Sequence, residues 1–308
     1  MTNDADKPKP PDMLQRHFAA LWSTIRQDEA GPRPPDEQRL LLDQIRNAFD
    51  RAANRLSDTT NAYIAGTFTV EGSIYRSETT EILQLRHRDL GTLHALKTLP
   101  FMQAANAPLI ERLRREAAIG LGFRHSTIVE TTVLLRLDDG RPALLQDWQG
   151  RSLLDLYKHA DMIELDIGAL LFRLLEALAV IHEQGYVHCD VAPGNIFIPA
   201  GDPKSAMLGD FGISLRKGEC HSDLGLAFAG SPDFLPPEHG PEKPVDTSHD
   251  IYALGRLTAY LLDRQKEQAR HDLQLFSAAC AQNDPFQRPR SAEDARALLM
   301  HLNEQERS

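Results

Sequence analysis

The sequence predicts an α+β fold: a helical N-terminal extension, a small antiparallel β-sheet carrying one helix, and a mainly helical second half. Two observations carry this. Apolar residues first recur at helical spacing, switch to short Ile-, Thr-, Phe- and Val-rich segments between Thr67 and Leu99, and return to helical spacing after Gly150. No internal repeat at roughly 20 to 50 residues breaks that order, which excludes solenoids.

The first 12 residues are mostly Pro, Lys and Asp and are expected to be disordered. Leu14, Phe18, Leu21 and Ile25 then form the stripe of an amphipathic helix. AGPRPPD (30–36) ends it, because adjacent prolines remove donors and fix φ. A second helix places Leu41, Ile45, Phe49, Ala52 and Leu56 on one side, with Asp36 near its start. Residues 1–58 are therefore read as an extension, 59–148 as a first lobe and 149–308 as a second.

In the first lobe FTV, SIYRS, TEILQLRHR and LHALKTL read as strands, PLIERLRREAAIGLG (108–122) as one helix, and TIVETTVLLRL with PALLQDW as a hairpin turned by Asp138, Asp139 and Gly140. In the second, Ile167 to Gln184 is a long apolar helix, IFIP and AMLGD pair around GDPK, and His249 to Leu262 is helical. Ser291, three positions before Asp294, opens the last helix.

Of the 308 residues, 42% are apolar, too many for a disordered chain. Asp and Glu number 44 against 34 Lys and Arg, so the net charge is −10 and a nucleic-acid partner is disfavoured. Three scattered cysteines, Cys189, Cys220 and Cys280, fit neither a disulfide framework nor a zinc spacing and imply a reducing compartment. The longest apolar stretch, Ile167 to Ile181, is interrupted by Arg173 and Glu176 and is shorter than the ~20 residues of a membrane span. The N-terminus carries no secretory pattern, and a cytoplasmic location is expected.

The chemistry concentrates in HCDVAPGNIF (188–197) and, after a hairpin, Asp210-Phe211-Gly212. Phosphoryl transfer needs a group that holds the attacking hydroxyl and accepts its proton, and oxygen ligands for a hard cation on the β and γ phosphates. Asp190 suits the first task, Asn195 and Asp210 the second. These segments resemble the catalytic loop and metal-binding triplet of protein kinases.

The resemblance runs in order over about residues 62 to 303 and implies a bilobal kinase-like fold that uses ATP and Mg2+. Lys97 matches the family's strand lysine, and Glu116, 19 residues on, its helix glutamate; Glu111 is a competing partner farther upstream. A desolvated ammonium needs such a carboxylate to stay charged. LLQDWQG resembles the segment joining the lobes, where backbone groups of Asp147 and Gln149 would meet adenine and Gln146 would gate the pocket. GSPDFLPPEH resembles the end of an activation segment, with Glu238 expected to pair with Arg288 and Asp250 to accept backbone hydrogen bonds beneath the catalytic loop. Ser231 would help seat a Ser or Thr acceptor on a protein substrate, the chain itself included, while Ser214 and Ser222 are possible phosphorylation sites.

Four departures stand out. The loop expected over the phosphates, YRSETTEI (75–82), has no glycine, although an alternative loop would use Gly66 and Gly72. Cys189 replaces the family's arginine, which an activation-segment phosphate would neutralise, so such a phosphate is not demanded; the cysteine itself is read as a buried, inert thiol. Ala192 replaces a lysine that meets the γ-phosphate. Only 28 residues separate Gly255 from Asp284, which leaves little room for the usual docking helix. ERLRRE is read as a solvated helix face. The resulting expectation is a serine/threonine protein kinase; the alternatives are a nucleotide-binding pseudokinase scaffold and a small-molecule kinase of the aminoglycoside type.

Overall fold

The computed structural model describes residues 13–28, 31–57, 63–158, 165–226, 229–265 and 270–307. The reading of residues 1–12 and the expected boundary at 58/59 fall outside them. The chain divides into two compact units, Met1–Gly66 and Thr67–Ser308.

The first unit holds α1 (Met13–Arg26), a turn between β1 (Gln27–Asp28) and β2 (Gly31–Pro32), α2 (Pro35–Ser57) and β3 (Tyr63–Ile64). The expected break lies at that turn, and Pro35 opens α2, where a missing N–H costs nothing. Arg33 fastens the turn, donating to the Thr24 carbonyl at 3.2 Å and pairing with Asp28 and Glu37. Within the two stripes Ile25 is buried, Leu41 and Ile45 are half-buried and Leu21 is exposed; Trp22, Leu40 and Leu42, which lie outside the stripes, are exposed as well.

The second unit begins with β4 (Phe68–Arg76), β5 (Glu81–His87) and β6 (Leu93–Thr98), then α3 (Ala107–Leu121), then β7 (Thr131–Arg136) and β8 (Pro142–Asp147). Its strands lie in the antiparallel order β4-β5-β6-β8-β7. FTV and SIYRS are not separate strands but one, β4, with irregular register on either side of Gly72 and Ser73. The side chain of Asn106 caps α3 by accepting from the Leu109 N–H. Leu113, Glu116, Ala117 and Gly120 share the buried face of α3 at spacings of three and four. Leu113 and Ala117 pack on Leu99 and Leu144, which turns Glu116 toward β6.

The remainder comprises α4 (Leu153–Lys158), α5 (Ile167–Glu183), β9 (Tyr186–Val187), β10 (Ile196–Phe197), β11 (Met207–Leu208), β12 (Leu215–Arg216), α6 (Ser248–Gln265), α7 (His271–Cys280) and α8 (Ala292–Arg307). Helix α5 is capped by Asp166 and is the centre of the core: Leu170, Leu171, Leu174 and Leu178 are fully buried, each contributing about 1.5 to 3 kcal/mol. The ladders β9–β12 and β10–β11 are only two pairs long, yet they clamp both ends of the 188–195 loop against the chain around Asp210. Among the described residues, the span from Gly255 to Asp284 holds the end of α6 and α7. Gly255 permits their contact, since a Cβ there would lie 2.7 Å from the Ala281 nitrogen.

Candidate active site

Three elements converge on one cleft. Strand β6 presents Lys97, which register sets opposite Ile82 and Leu144; α3 presents Glu116; the segment after β11 presents Asp210. The Lys97 ammonium donates to Glu116 Oε1 and to Asp210 Oδ1, each at 2.8 Å. Glu111, the competing partner, is an exposed residue beside Arg114.

Burial alone would push the Lys97 ammonium down, but Asp210 and Glu116 beside it override that and hold it above its ordinary value. The carboxylates part company. Burial lifts Glu116 to about 7 against the pull of Lys97, because its side chain is only 5% exposed. Asp210 is 40% exposed toward the cleft, and Lys97 together with the Gly212 N–H outweighs its desolvation and takes it down to about 2. Gly212 allows this approach, since a Cβ there would fall 2.9 Å from Asp210 Oδ1. Asp210 itself adopts a left-handed φ of 69°, a costly conformation for a non-glycine residue that aims its carboxylate into the cleft.

Asp190 is held from both sides. Its Oδ1 accepts from the Ser231 N–H at 3.0 Å and from the Ser231 hydroxyl at 2.8 Å, and its Oδ2 accepts from Asn195 Nδ2 at 2.8 Å. His188, fully buried, accepts the Asp190 N–H at Nδ1, and its Nε2 faces the Gly209 carbonyl, an arrangement that places the ring proton on Nε2. Asp250, also fully buried, accepts the backbone N–H groups of His188 and Cys189 at 2.8 and 2.9 Å, as expected, and meets His182 Nε2 at 2.8 Å. Burial would raise the Asp250 pKa, but these bonds hold it below the usual value. Cys189 shares the left-handed φ of 69°, and burial with the charge of Asp250 pushes its thiol well up, so it is not a reactive thiolate.

The cleft encloses about 430 Å³. Tyr75 and Thr80, on the glycine-free hairpin, line one wall, and Asp147, Trp148 and Gln149 another. The hairpin tip is closed from within: Ser77 accepts at Oγ from the N–H groups of Thr79 and Thr80. Gly72 lies inside β4, which disfavours the alternative loop. At the rear, Gln146 donates to Thr131 Oγ1 at 3.3 Å, and Gly120 of α3 packs so closely on Thr131 that any Cβ would collide with it. Asp147 ends β8 and meets His94 Nδ1 at 3.2 Å.

Two expectations are corrected. Ser214 is fully buried and donates to the His188 carbonyl at 3.0 Å, so its hydroxyl is closed to a modifying enzyme, whereas Ser222 is exposed. ERLRRE is not all solvated, because Arg115 turns inward to Ser214 and Glu219. Trp148 and Glu219 escaped the sequence reading, the first lacking a motif signature and the second depending on a contact 104 positions away.

Comparison with known proteins agrees with this geometry. The family model of the protein kinase domain matches residues 68–305. Serine/threonine-protein kinase pkn2 of Myxococcus xanthus is 32% identical over 178 residues, 56% of this chain and 21% of the relative. A probable myosin light chain kinase of Dictyostelium discoideum is 28% identical over 184 residues, 59% of this chain and 46% of the relative. The probable serine/threonine-protein kinase PknB of Corynebacterium glutamicum is 29% identical over 199 residues, 62% and 30% respectively. The chain thus spans less than half the length of these three relatives. A match covering both lobes, with the lysine, carboxylates and clamped aspartate gathered in one cleft, establishes that this chain belongs to the protein kinase family.

Proposed function

We propose that the chain is an ATP- and Mg2+-dependent serine/threonine protein kinase that transfers the γ-phosphate to protein hydroxyls, its own included, in a cytoplasmic setting. The observation that carries the reading is the double grip of Lys97 on Glu116 and Asp210 beside an Asp190 clamped by Asn195 and Ser231. For the setting, all three cysteines are free, and among the described residues no helix is long and apolar enough to cross a membrane.

The donor set fits a hard cation. Among the described residues, Asn195 Oδ1 and Asp210 Oδ2 carry no hydrogen bond, and both are oxygen atoms. No group of three or more His, Cys, Asp or Glu among those residues could hold a metal unaided, so phosphate and water oxygens would complete the shell. Such an ion supplies neutralisation of charge on the transferring phosphoryl group. Lys97 supplies the protein's own cation there, kept charged by its two carboxylates. Asp190 orients the acceptor hydroxyl and takes its proton, while Ser231 and Asn195 prevent its carboxylate from rotating. With Ala192 in place of a lysine, one charged hydrogen bond is missing, a loss of about 1.5 to 3 kcal/mol, so transfer is slower by one to two powers of ten.

The test uses purified protein with labelled ATP and Mg2+. Asp190→Asn is expected to abolish phosphate incorporation while leaving nucleotide affinity nearly unchanged; incorporation equal to the native chain would remove Asp190 from its role. The glycine-free hairpin favours one other reading, a nucleotide-binding scaffold, which the same experiment identifies by binding without incorporation into any acceptor.

A further inference from the structure

Arg115 lies on the helix between the exposed Arg114 and the buried Glu116, yet its guanidinium is not spent on the helix surface. One Nη donates to the Ser214 carbonyl oxygen and the other reaches Glu219 Oε2 at 3.3 Å. Glu219 is itself held in place: the same Oε2 accepts the Arg216 N–H at 2.8 Å, and the Glu219 N–H donates to the Arg216 carbonyl at 3.0 Å. Ser214 continues the line, its hydroxyl donating to the carbonyl of His188, two residues before Asp190. A continuous set of bonds therefore runs from α3 through residues 214–219 to the catalytic loop.

We propose that Glu219 is a built-in carboxylate doing the work that a phosphate on this segment would otherwise do: through Arg115 it pins α3, and with it Glu116, in the position that meets Lys97. The inference rests on the kinase reading above and adds to it that the unmodified chain already holds the productive arrangement.

The surrounding charges agree. Among the described residues, three cations near the segment are engaged: Arg115 with Glu219, Lys217 with Asp246 at 2.8 Å, and Arg216 over the Tyr186 ring at 4.6 Å. Position 189, beside Asp190, is a cysteine and adds no cation that would call for an anion. Of the two candidate hydroxyls, Ser214 is closed off, and a phosphate on Ser222 would be repelled by the adjoining Asp223. Arg115 and Glu219 are 24% and 42% exposed, so the strap is a screened, adjustable contact and not a buried pair.

The experiment treats the full chain with a phosphatase, confirms by intact mass that it carries no phosphate, and measures transfer to casein together with amide hydrogen exchange across α3. The phosphate-free protein and Ser222→Ala are expected to match the untreated native chain. Glu219→Gln should lower kcat about ten-fold, equivalent to about 1.4 kcal/mol, leave the KM for ATP largely unchanged and speed exchange in 107–121, with Glu219→Asp recovering part of both. Transfer that appears only after phosphorylation, or a Glu219→Gln variant whose α3 exchanges at the native rate, would overturn the proposal. If even the untreated native chain transfers no phosphate, the kinase reading fails, and the exchange measurement still decides whether Glu219 holds α3.

Discussion

Removing the Glu238 carboxylate gives the sharpest energetic test of how the second unit is built. Arg288 is fully buried and all five of its N–H groups are matched: Nε to the Gln282 carbonyl at 2.7 Å, Nη1 to Glu238 Oε1 at 2.6 Å and the Ser248 carbonyl at 3.1 Å, Nη2 to Glu238 Oε2 at 2.9 Å and the Asn283 carbonyl at 3.2 Å. Its guanidinium also lies 4.7 Å from the centre of the Tyr252 ring. Burial would raise the Glu238 pKa, but Arg288 draws it below the usual value. Glu238→Ala leaves an unpaired charge with two unmet donors inside the protein, which costs about 3 to 5 kcal/mol. For a unit of this size that lowers Tm by about 6 to 20 °C. The assay is thermal unfolding of Glu238→Ala, Arg288→Met and the double variant. The double variant should be more stable than Glu238→Ala alone, because it removes the stranded charge. A Tm loss below about 2 °C for Glu238→Ala, or a double variant as unstable as the sum of the singles, would refute the reasoning.

Two further outcomes follow from the same structure. The folded chain binds a proton on Glu116 more tightly than the unfolded chain does, so the stability it contributes is fully present below the ordinary value of 4.5 and is lost as pH rises through about 7. Glu116→Gln should therefore flatten the fall in the urea midpoint across that window, and parallel curves for the two proteins would contradict it. Gly255→Ala places a methyl 2.7 to 2.8 Å from Ala281 and Cys280 and should cost about 1 to 3 kcal/mol, read as a lower urea midpoint with unchanged nucleotide affinity; a neutral result would mean that α6 and α7 can separate freely.

How much of this was legible beforehand depended on how local the determinant was. Long periodic segments such as α3 and α5 were readable because one face repeats over several turns. Helix α4, six residues long, and α7, whose N-cap Arg270 makes no side-chain cap bond, offered no comparable signal. FTV and SIYRS read as separate segments, but pairing of the intervening Gly72 with Gln84 carries β4 straight through, although glycine weakens a strand. Within the site, Lys97, Glu116, Asp190, Asn195 and Asp210 were visible through the resemblance of their segments to protein-kinase motifs, and Arg288 with Glu238 through the same resemblance. The burial of Ser214 and the inward turn of Arg115 were not, since both depend on two segments about a hundred positions apart coming together.

The closed rear wall of the cleft bears on chemical biology. With the amide of Gln146 hydrogen-bonded to Thr131 and Thr131 pressed against a helix that has no room for a Cβ at position 120, the wall of the cleft behind Gln146 is built of side chains in close contact. Inhibitors that gain potency by reaching past a small gate residue will find this protein resistant. Trimming position 146 to alanine would open a doorway for an enlarged ligand while leaving the charged half of the cleft as it stands.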